Sequence, residues 1–384
     1  MNNVKTDSKS NSETTVVVGM SGGVDSSVCA LLLKQQGYRV IGLFMKNWEE
    51  QDEHGVCQAS KEYADVVRVC GQIGIPYYSV NFIKEYQENV FSHFVEEFKK
   101  GYTPNPDILC NREIKFKVLL QKAIELGGDF LATGHYCQVG GHVDSMKLLK
   151  GADPGKDQSY FLYAINGQAL SKVMFPIGHM LKSELREIAR QNGLATSEKK
   201  DSTGICFIGK RDFKQFLGQY IQYKAGNFEN LKGEVVGQHD GAAFYTPGQR
   251  RGMGIGGAGE AWFVVGKDVE RNVVFVDQGI LHPALFCDTV IATDLTWISG
   301  VAPSLFPFRC RSKVRYRQPD QHCVIEKIVD GKVVVAFDVP QRAVTPRQSI
   351  VFYDGDVCLG GGMIESPGPS YHVQGRELPS VVSP

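Results

Sequence analysis

Three short stretches carry residue types that do chemistry in company. The first is Thr15-Val16-Val17-Val18-Gly19-Met20-Ser21-Gly22-Gly23-Val24-Asp25-Ser26-Ser27. Its β-branched run suits a strand buried on both faces. Gly19, Gly22 and Gly23 allow a sharp turn and close approach to a ligand, and Asp25, Ser26 and Ser27 are helix-start residues. A strand, a Gly/Ser turn and a helix N-terminus together form a phosphate cradle, because free N–H groups and the helix dipole face the anion. No Gly-Lys-Ser/Thr ending follows, so this is not a P-loop, and the glycine spacing is not that of a dinucleotide fold. The second stretch is Thr103-Pro104-Asn105-Pro106-Asp107-Ile108-Leu109-Cys110-Asn111, followed by Arg112 and Lys115. Cationic neighbours favour a thiolate, and Asp107 stands three residues before it. The third, Lys199-Lys200-Asp201-Ser202-Thr203-Gly204-Ile205-Cys206-Phe207-Ile208, sets a thiol after a Gly turn with lysines upstream. That pattern suits a low-pKa nucleophile. For each cysteine a buried structural thiol is the plain alternative, and the residues taken singly do not choose.

The elements that must position these stretches alternate strand and helix. Val24, Val28, Leu31 and Leu32 recur at helical spacing up to Gly37. Arg39 to Met45 reads as a second buried strand, Gln58 to Gly74 as a helix, Pro76 to Phe82 as a third strand and Glu85 to Lys100 as a helix stopped by Gly101. Pro104 and Pro106 predict a rigid loop that bars a helix, with helix resuming from Ile114 to Leu126. Asp129 to Tyr136 reads as another strand. Such alternation predicts an α/β, doubly wound parallel sheet whose ligands sit beyond the strand carboxyl ends. The cradle, Met45 and Gly134 all fall on that edge, with Cys110 in a loop within reach.

The rest of the chain changes character. Gly233 to Gly237 opens a β-rich stretch that includes the glycine-rich Tyr245 to Gly257 segment, whose Arg250 and Arg251 suit phosphate contact as well as they suit a solvated turn. From Thr289 onward, strand patterns separated by Pro319-Asp320, Asp330-Gly331 and Asp354-Gly355 predict a small β-barrel. Arg309, Arg311, Lys313, Arg315 and Arg317 alternate, which predicts one basic face on a strand running to Gln318. The expected organisation is a disordered tail over 1–14, a nucleotide-binding domain over 15–213, a central β-rich domain over 214–285 and a β-barrel over 286–384.

Bulk properties bound the function without choosing it. The 384 residues carry 42 Lys+Arg against 42 Asp+Glu, so any nucleic-acid partner must be met by locally concentrated charge. No apolar run approaches the length that spans a bilayer, and the polar N-terminus lacks a signal-peptide core. The ten cysteines include no Cys-x-x-Cys pair, which argues against a zinc ribbon and fits a reducing cytoplasm.

Ser21-Gly22-Gly23-Val24-Asp25-Ser26-Ser27 resembles the pyrophosphate loop of the PP-loop ATPases, which cleave ATP to AMP and pyrophosphate and adenylate a carbonyl oxygen. Taken with the Gly42–Trp48, Asn105–Phe116, Ala132–Tyr136, Lys156–Leu162, Asp201–Ile208, Tyr245–Gly266 and Lys313–Gln318 segments in that order, the chain resembles the tRNA-specific 2-thiouridylase family. The resemblance implies a PP-loop fold of the adenine nucleotide α-hydrolase type. It implies ATP held by Gly19, Met20, Ser21, Gly22, Gly23, Val24, Asp25 and Ser26 with Met45 and Gly134, and Mg²⁺ neutralising the phosphates. Cys110 then corresponds to the nucleophile, Cys206 to the persulfide carrier and Asp107 to a proton shuttle, with a Cys110–Cys206 disulfide left behind. Asn105, Pro106 and Asp107 would face the target base, the wobble uridine of the anticodon. Lys156, Asp157, Gln158, His135, Arg315, Tyr316 and Gln348 would contact tRNA. A cysteine desulfurase or a sulfur-carrier protein would supply sulfur. Cys137 is an extra thiol near the nucleotide edge, for which packing is the plainer role. Two rival readings remain open at this point: an amide-forming PP-loop ligase, and a non-catalytic tRNA- or nucleotide-binding protein.

Overall fold

The computed structural model describes residues 9–49, 58–142, 145–201 and 213–382. Strands β1 (Thr15–Met20), β2 (Arg39–Lys46), β3 (Tyr77–Asn81) and β4 (Phe130–Ala132) belong to the first sheet. The hairpin β5 (Cys137–Gly140) and β6 (Lys147–Lys150) leaves that sheet, and β7 (Val173–Met174) returns to it. The sheet runs β3-β2-β1-β4-β7 with every pairing parallel. Strand order therefore reverses beside β1, and the crevice at the carboxyl ends of β1 and β4 is where such sheets bind ligands.

Val16, Val17 and Val18 are fully buried because helices cover both faces. On one face lie α1 (Val24–Gln35), α2 (Gln58–Ile73) and helix Lys182–Gln191, closing a core around Val18, Val28, Leu33, Val66, Leu185 and Ala189. On the other lie the helical stretches 83–99 and 106–125, closing a core around Val17, Leu43, Phe94, Phe98, Ile114 and Leu131. Each Val, Leu, Ile or Phe among these contributes about 2 kcal/mol by leaving water.

Residues 9–14 are not a free tail: Ser10 and Glu13 form a capping box, Asn11 Nδ2 donates to the Gln36 carbonyl at 2.8 Å, and Thr14 is buried. The Pro104–Cys110 segment is not a loop throughout either. A helix starts at Pro106 and runs unbroken to Glu125. Proline is tolerated at a helix's first position, where its missing N–H has no partner to lose. Asn105 caps that start, its Oδ1 accepting from the Asp107 N–H at 3.1 Å.

Beyond residue 213, β8 (Gly226–Glu229), β9 (Val235–His239), β10 (Trp262–Asp268) and β11 (Val273–Gln278) form a sheet in the order β10-β11-β8-β9. The last strands are β12 (Phe286–Trp297), β13 (Phe308–Lys313), β14 (Gln321–Val329), β15 (Lys332–Arg342), β16 (Ser349–Asp354) and β17 (Val357–Pro367). They pair β12-β15-β14-β13-β16-β17, and β17 pairs back to β12, so the barrel closes and leaves no edge of its own. The β5–β6 hairpin of the first domain pairs onto β17, with Leu149 opposite Val357 and Leu148 opposite Cys358. The N-terminal domain is thereby hydrogen-bonded into the C-terminal barrel sheet, and Val351, Tyr353 and Cys358 of the barrel share its core.

Candidate active site

The cradle forms because glycine removes a clash. Gly22 has φ +71°, and a Cβ there would lie 2.6 Å from the Glu62 carbonyl oxygen. Beyond it the hydroxyls of Ser26 and Ser27 donate to the Gly23 carbonyl at 3.1 and 2.8 Å, and the Ser21 N–H donates to Ser26 Oγ at 3.2 Å. These bonds fix the turn, and the first-turn N–H groups of α1 lack intrahelical acceptors. Gly134, just after β4, lies against this same turn: its absent Cβ would meet the Ser26 nitrogen at 3.0 Å. The small residue is used first by the protein's own backbone, which lets the end of β4 seat on the start of α1. Met45, opposite Val80 in the β2–β3 register, is half-buried against the core below.

A charge network surrounds the cradle. Lys182 Nζ donates to Asp25 Oδ1 at 2.5 Å and pairs with Asp201 at 3.0 Å, and Tyr136 Oη donates to the same Asp25 oxygen at 2.9 Å. Asp201 also receives Lys156 and Arg186, each at 2.8 Å. Lys199 donates to the Gly22 carbonyl at 2.8 Å and to Asp65 at 2.7 Å. Four cations thus meet three carboxylates at the rim of an anion cradle. Burial works to raise the Asp201 pKa, but the hydrogen bonds from Lys156 and Lys182 override it and hold the group at about 2. Lys182, Arg186 and Tyr136 were not legible as site residues, and Lys199 was legible only as a cation upstream of Cys206. The spacing of Ser183 to Gly193 showed an amphipathic helix, not what its first turn would face.

The first thiol stretch is set by the helix 106–125. Cys110 is buried at 2 % exposure, at the start of a π-helical run, Cys110–Leu119. Such wide turns recur at functional sites. Asp107 lies one turn earlier, and burial raises its pKa while Lys115 opposes that rise. Next to Cys110, Asn111 is buried, donates from Nδ2 to the Phe161 carbonyl at 3.1 Å, and leaves Oδ1 without a partner among the described residues. Arg112 bonds Glu113 at 2.9 Å and reaches Asp294 of the barrel at 3.0 Å. Cys206 lies outside the described residues, and Asp201 is the last described residue before it.

The remaining candidate contacts fall into place unevenly. Asp157 is buried and inward, accepting from the Gly151 and Ser159 N–H groups, each at 3.1 Å, and facing Lys313 at 3.6 Å. Gln158 accepts from the Tyr136 N–H at 3.0 Å. His135 is buried, its Nδ1 2.7 Å from Thr133 Oγ1, and burial drives its pKa well below the usual range, so it is neutral. Arg315 donates to the carbonyls of Pro247 and Ala343 at 2.9 and 2.8 Å, joining the glycine-rich loop to the barrel. Tyr316 packs against Phe161 in a tilted ring pair with centroids 4.3 Å apart, and Gln348 donates to the Thr103 carbonyl, so both brace the Cys110 region. Cys137 is fully buried at the start of β5, and burial pushes its thiol well up, as befits a packing residue.

The expected basic face on a strand reaching Gln318 is corrected. β13 ends at Lys313, and 314–318 is a turn. Arg309 and Arg311 are exposed together as period-two geometry requires, with Arg309 paired to Asp338 at 2.9 Å. Lys313 instead turns inward to Asp157 and Asp320, where Lys150 of the N-terminal hairpin also pairs, and Arg315 binds carbonyls. Buried carboxylates draw those cations inside, because a buried charge without a partner is costly.

A parallel α/β sheet with a glycine-turned helix start at its switch point, a buried thiol on an adjacent helix and two appended β modules is the arrangement of an α/β enzyme domain carrying two β modules. Three family models match in sequence order: a tRNA methyl transferase HUP domain over 14–210, a tRNA methyl transferase PRC-barrel domain over 214–278 and an aminomethyltransferase β-barrel domain over 287–364. The chain is 64 % identical over 366 residues to the tRNA-specific 2-thiouridylase MnmA of Protochlamydia amoebophila, covering 95 % of this chain and 97 % of that protein. It is 59 % identical to the MnmA of Geobacillus thermodenitrificans, covering 92 % of this chain and 95 % of the relative. The Bacillus subtilis MnmA is 56 % identical with the same coverage of each chain. The chain belongs to the tRNA-specific 2-thiouridylase family, a family of tRNA sulfurtransferases.

Proposed function

We propose that this protein uses ATP to replace the C2 oxygen of the wobble uridine of tRNA with sulfur, working in the cytoplasm. The observation that carries the reading is the cradle: a glycine-turned helix start ringed by Lys156, Lys182, Arg186 and Lys199. A uridine carbonyl has a poor leaving oxygen. Its oxygen attacks the α-phosphorus of ATP, pyrophosphate departs into the cradle, and C2 then carries AMP as leaving group. The terminal sulfur of a Cys206 persulfide attacks C2 and expels AMP. Cys110 attacks the inner sulfur of that adduct, the S–S bond breaks, C2=S remains on the base, and a Cys110–Cys206 disulfide forms. Asp107, raised by burial, takes up a proton near the target base.

Gly19 to Ser26, Met45 and Gly134 are assigned to the nucleotide. Asn105, Pro106 and Asp107 are assigned to the base, and His135, Lys156, Asp157, Gln158, Arg315, Tyr316 and Gln348 to the tRNA surface, the buried members by shaping it. Among the described residues no group of three or more His, Cys, Asp or Glu side chains is arranged to hold a metal. Asp25, at the start of α1, is the carboxylate that would help hold Mg²⁺, and the ion would neutralise the triphosphate. A cysteine desulfurase or a sulfur-carrier protein is the proposed donor. No helix of the described residues is long and apolar enough to cross a membrane. Mass spectrometry of nucleosides from tRNA incubated with the protein, ATP and a persulfide donor tests the proposal. Appearance of 2-thiouridine that needs all three supports it, and thiolation without ATP overturns it.

A further inference from the structure

Away from the candidate site, two described thiols stand close enough to react. Cys310 on β13 and Cys323 on β14 stand directly opposite each other in antiparallel register, their sulfurs 3.6 Å apart. Directly opposed residues have Cα atoms about 4.5–5.5 Å apart, within the span a disulfide bridges. Cys323 is fully buried in the barrel core, whereas Cys310 is partly exposed and reachable from solvent. The hydrogen bond they share raises the Cys310 thiol and lowers that of Cys323, so Cys310 reacts first through access rather than acidity, and Cys323 supplies the readier thiolate for the closing step.

We propose that Cys310 and Cys323 form an oxidisable dithiol, a modification site for hydroperoxides that is separate from Cys110 and Cys206. The sulfur of Cys310 takes the distal oxygen of a hydroperoxide, the O–O bond breaks, and the reduced alcohol or water leaves with the thiol proton accounted for in the sulfenic acid. The Cys323 sulfur then attacks that sulfur. The S–O bond breaks, water leaves carrying the Cys323 proton, and an S–S bond joins the strands. Two thiols lose two electrons in all, and the peroxide gains them. A thiol reductant reverses the step by exchange. The bond would tie β13 to β14 just ahead of the 314–318 turn that carries Arg315 and Tyr316.

The test treats the full wild-type chain with hydrogen peroxide, blocks remaining thiols with iodoacetamide and maps peptides without reduction. The expected product is a Cys310–Cys323 cross-linked peptide about 2 Da below the sum of its reduced halves, lost on adding dithiothreitol. In Cys323→Ser the expected product is a sulfenic acid at Cys310, trapped by dimedone. If both thiols are still alkylated after peroxide, or if Cys310 in the wild type runs on to sulfinic acid without the cross-link, the proposal is overturned. Peptide identity separates this bond from any Cys110–Cys206 disulfide, so the outcome does not depend on the catalytic reading.

Discussion

Lys182 bridges Asp25 and Asp201, at 2.5 Å to the first and 3.0 Å to the second. One buried ammonium thus joins the helix start of the anion cradle to the last described residue before Cys206. Replacing it leaves two carboxylates facing each other with less cation between them. Lys182→Met is expected to lower unfolding free energy by about 3 kcal/mol and to raise the KM for ATP more than that for tRNA. Urea denaturation and steady-state kinetics measure both.

Asp201 links this network to pH. Its pKa is lowered from 3.8 to about 2 in the folded chain, so the native state binds that proton less readily than the unfolded state. The stability it contributes is complete above the unfolded value and is lost as pH falls through the folded one. The melting-temperature gap between wild type and Asp201→Asn is therefore expected to narrow as pH drops from 3.8 towards about 2 and to stay constant above that window. Calorimetry across that range checks it.

Asp107 shifts the other way. Burial raises it from 3.8, with Lys115 opposing, so its carboxylate form is reached at a higher pH than for an exposed aspartate. A base with that shift gives a rate that climbs with pH through the raised value. Asp107→Asn is expected to lower kcat by about 10²–10⁴-fold and to flatten the acid limb of the pH–rate profile. A retained acid limb would assign it to another group.

Gly22 has the least freedom to change. A side chain there meets the Glu62 carbonyl at 2.6 Å in a backbone with φ +71°. Gly22→Ala is expected to weaken ATP binding by at least about tenfold, the equivalent of 1.4 kcal/mol, with tRNA affinity little changed. Isothermal titration with each ligand separates the two effects.

The strand, glycine turn and helix start at residues 15–35 were legible in the sequence because their signals are local. Three buried valines, glycines at the turn and serines at the helix start all act within a dozen residues. The parallel sheet and closing barrel followed from strand spacing for the same reason. Pro106 misled because a proline that breaks a helix from within also starts one, and only the Asn105 cap tells the cases apart. The Arg309–Arg317 alternation misled because period two holds only while the strand lasts, and β13 stops at Lys313, whose partners Asp157 and Asp320 are far off in sequence or across a turn. The docking of β5–β6 onto β17 pairs residues about two hundred positions apart, and no local pattern announces it. The same holds for Lys182, whose helix is evident and whose partners are not.

The central claim is a sulfur relay between two cysteines driven by ATP. It is met most directly by a single turnover: persulfide-loaded protein is mixed with ATP and unmodified tRNA, quenched in acid, and mapped by mass spectrometry without reduction. The account predicts a Cys110–Cys206 cross-linked peptide rising in step with 2-thiouridine, both absent without ATP and both absent in Cys110→Ser. Full 2-thiouridine yield in Cys110→Ser, or thiolation with Cys110 and Cys206 still separately alkylated, would contradict it.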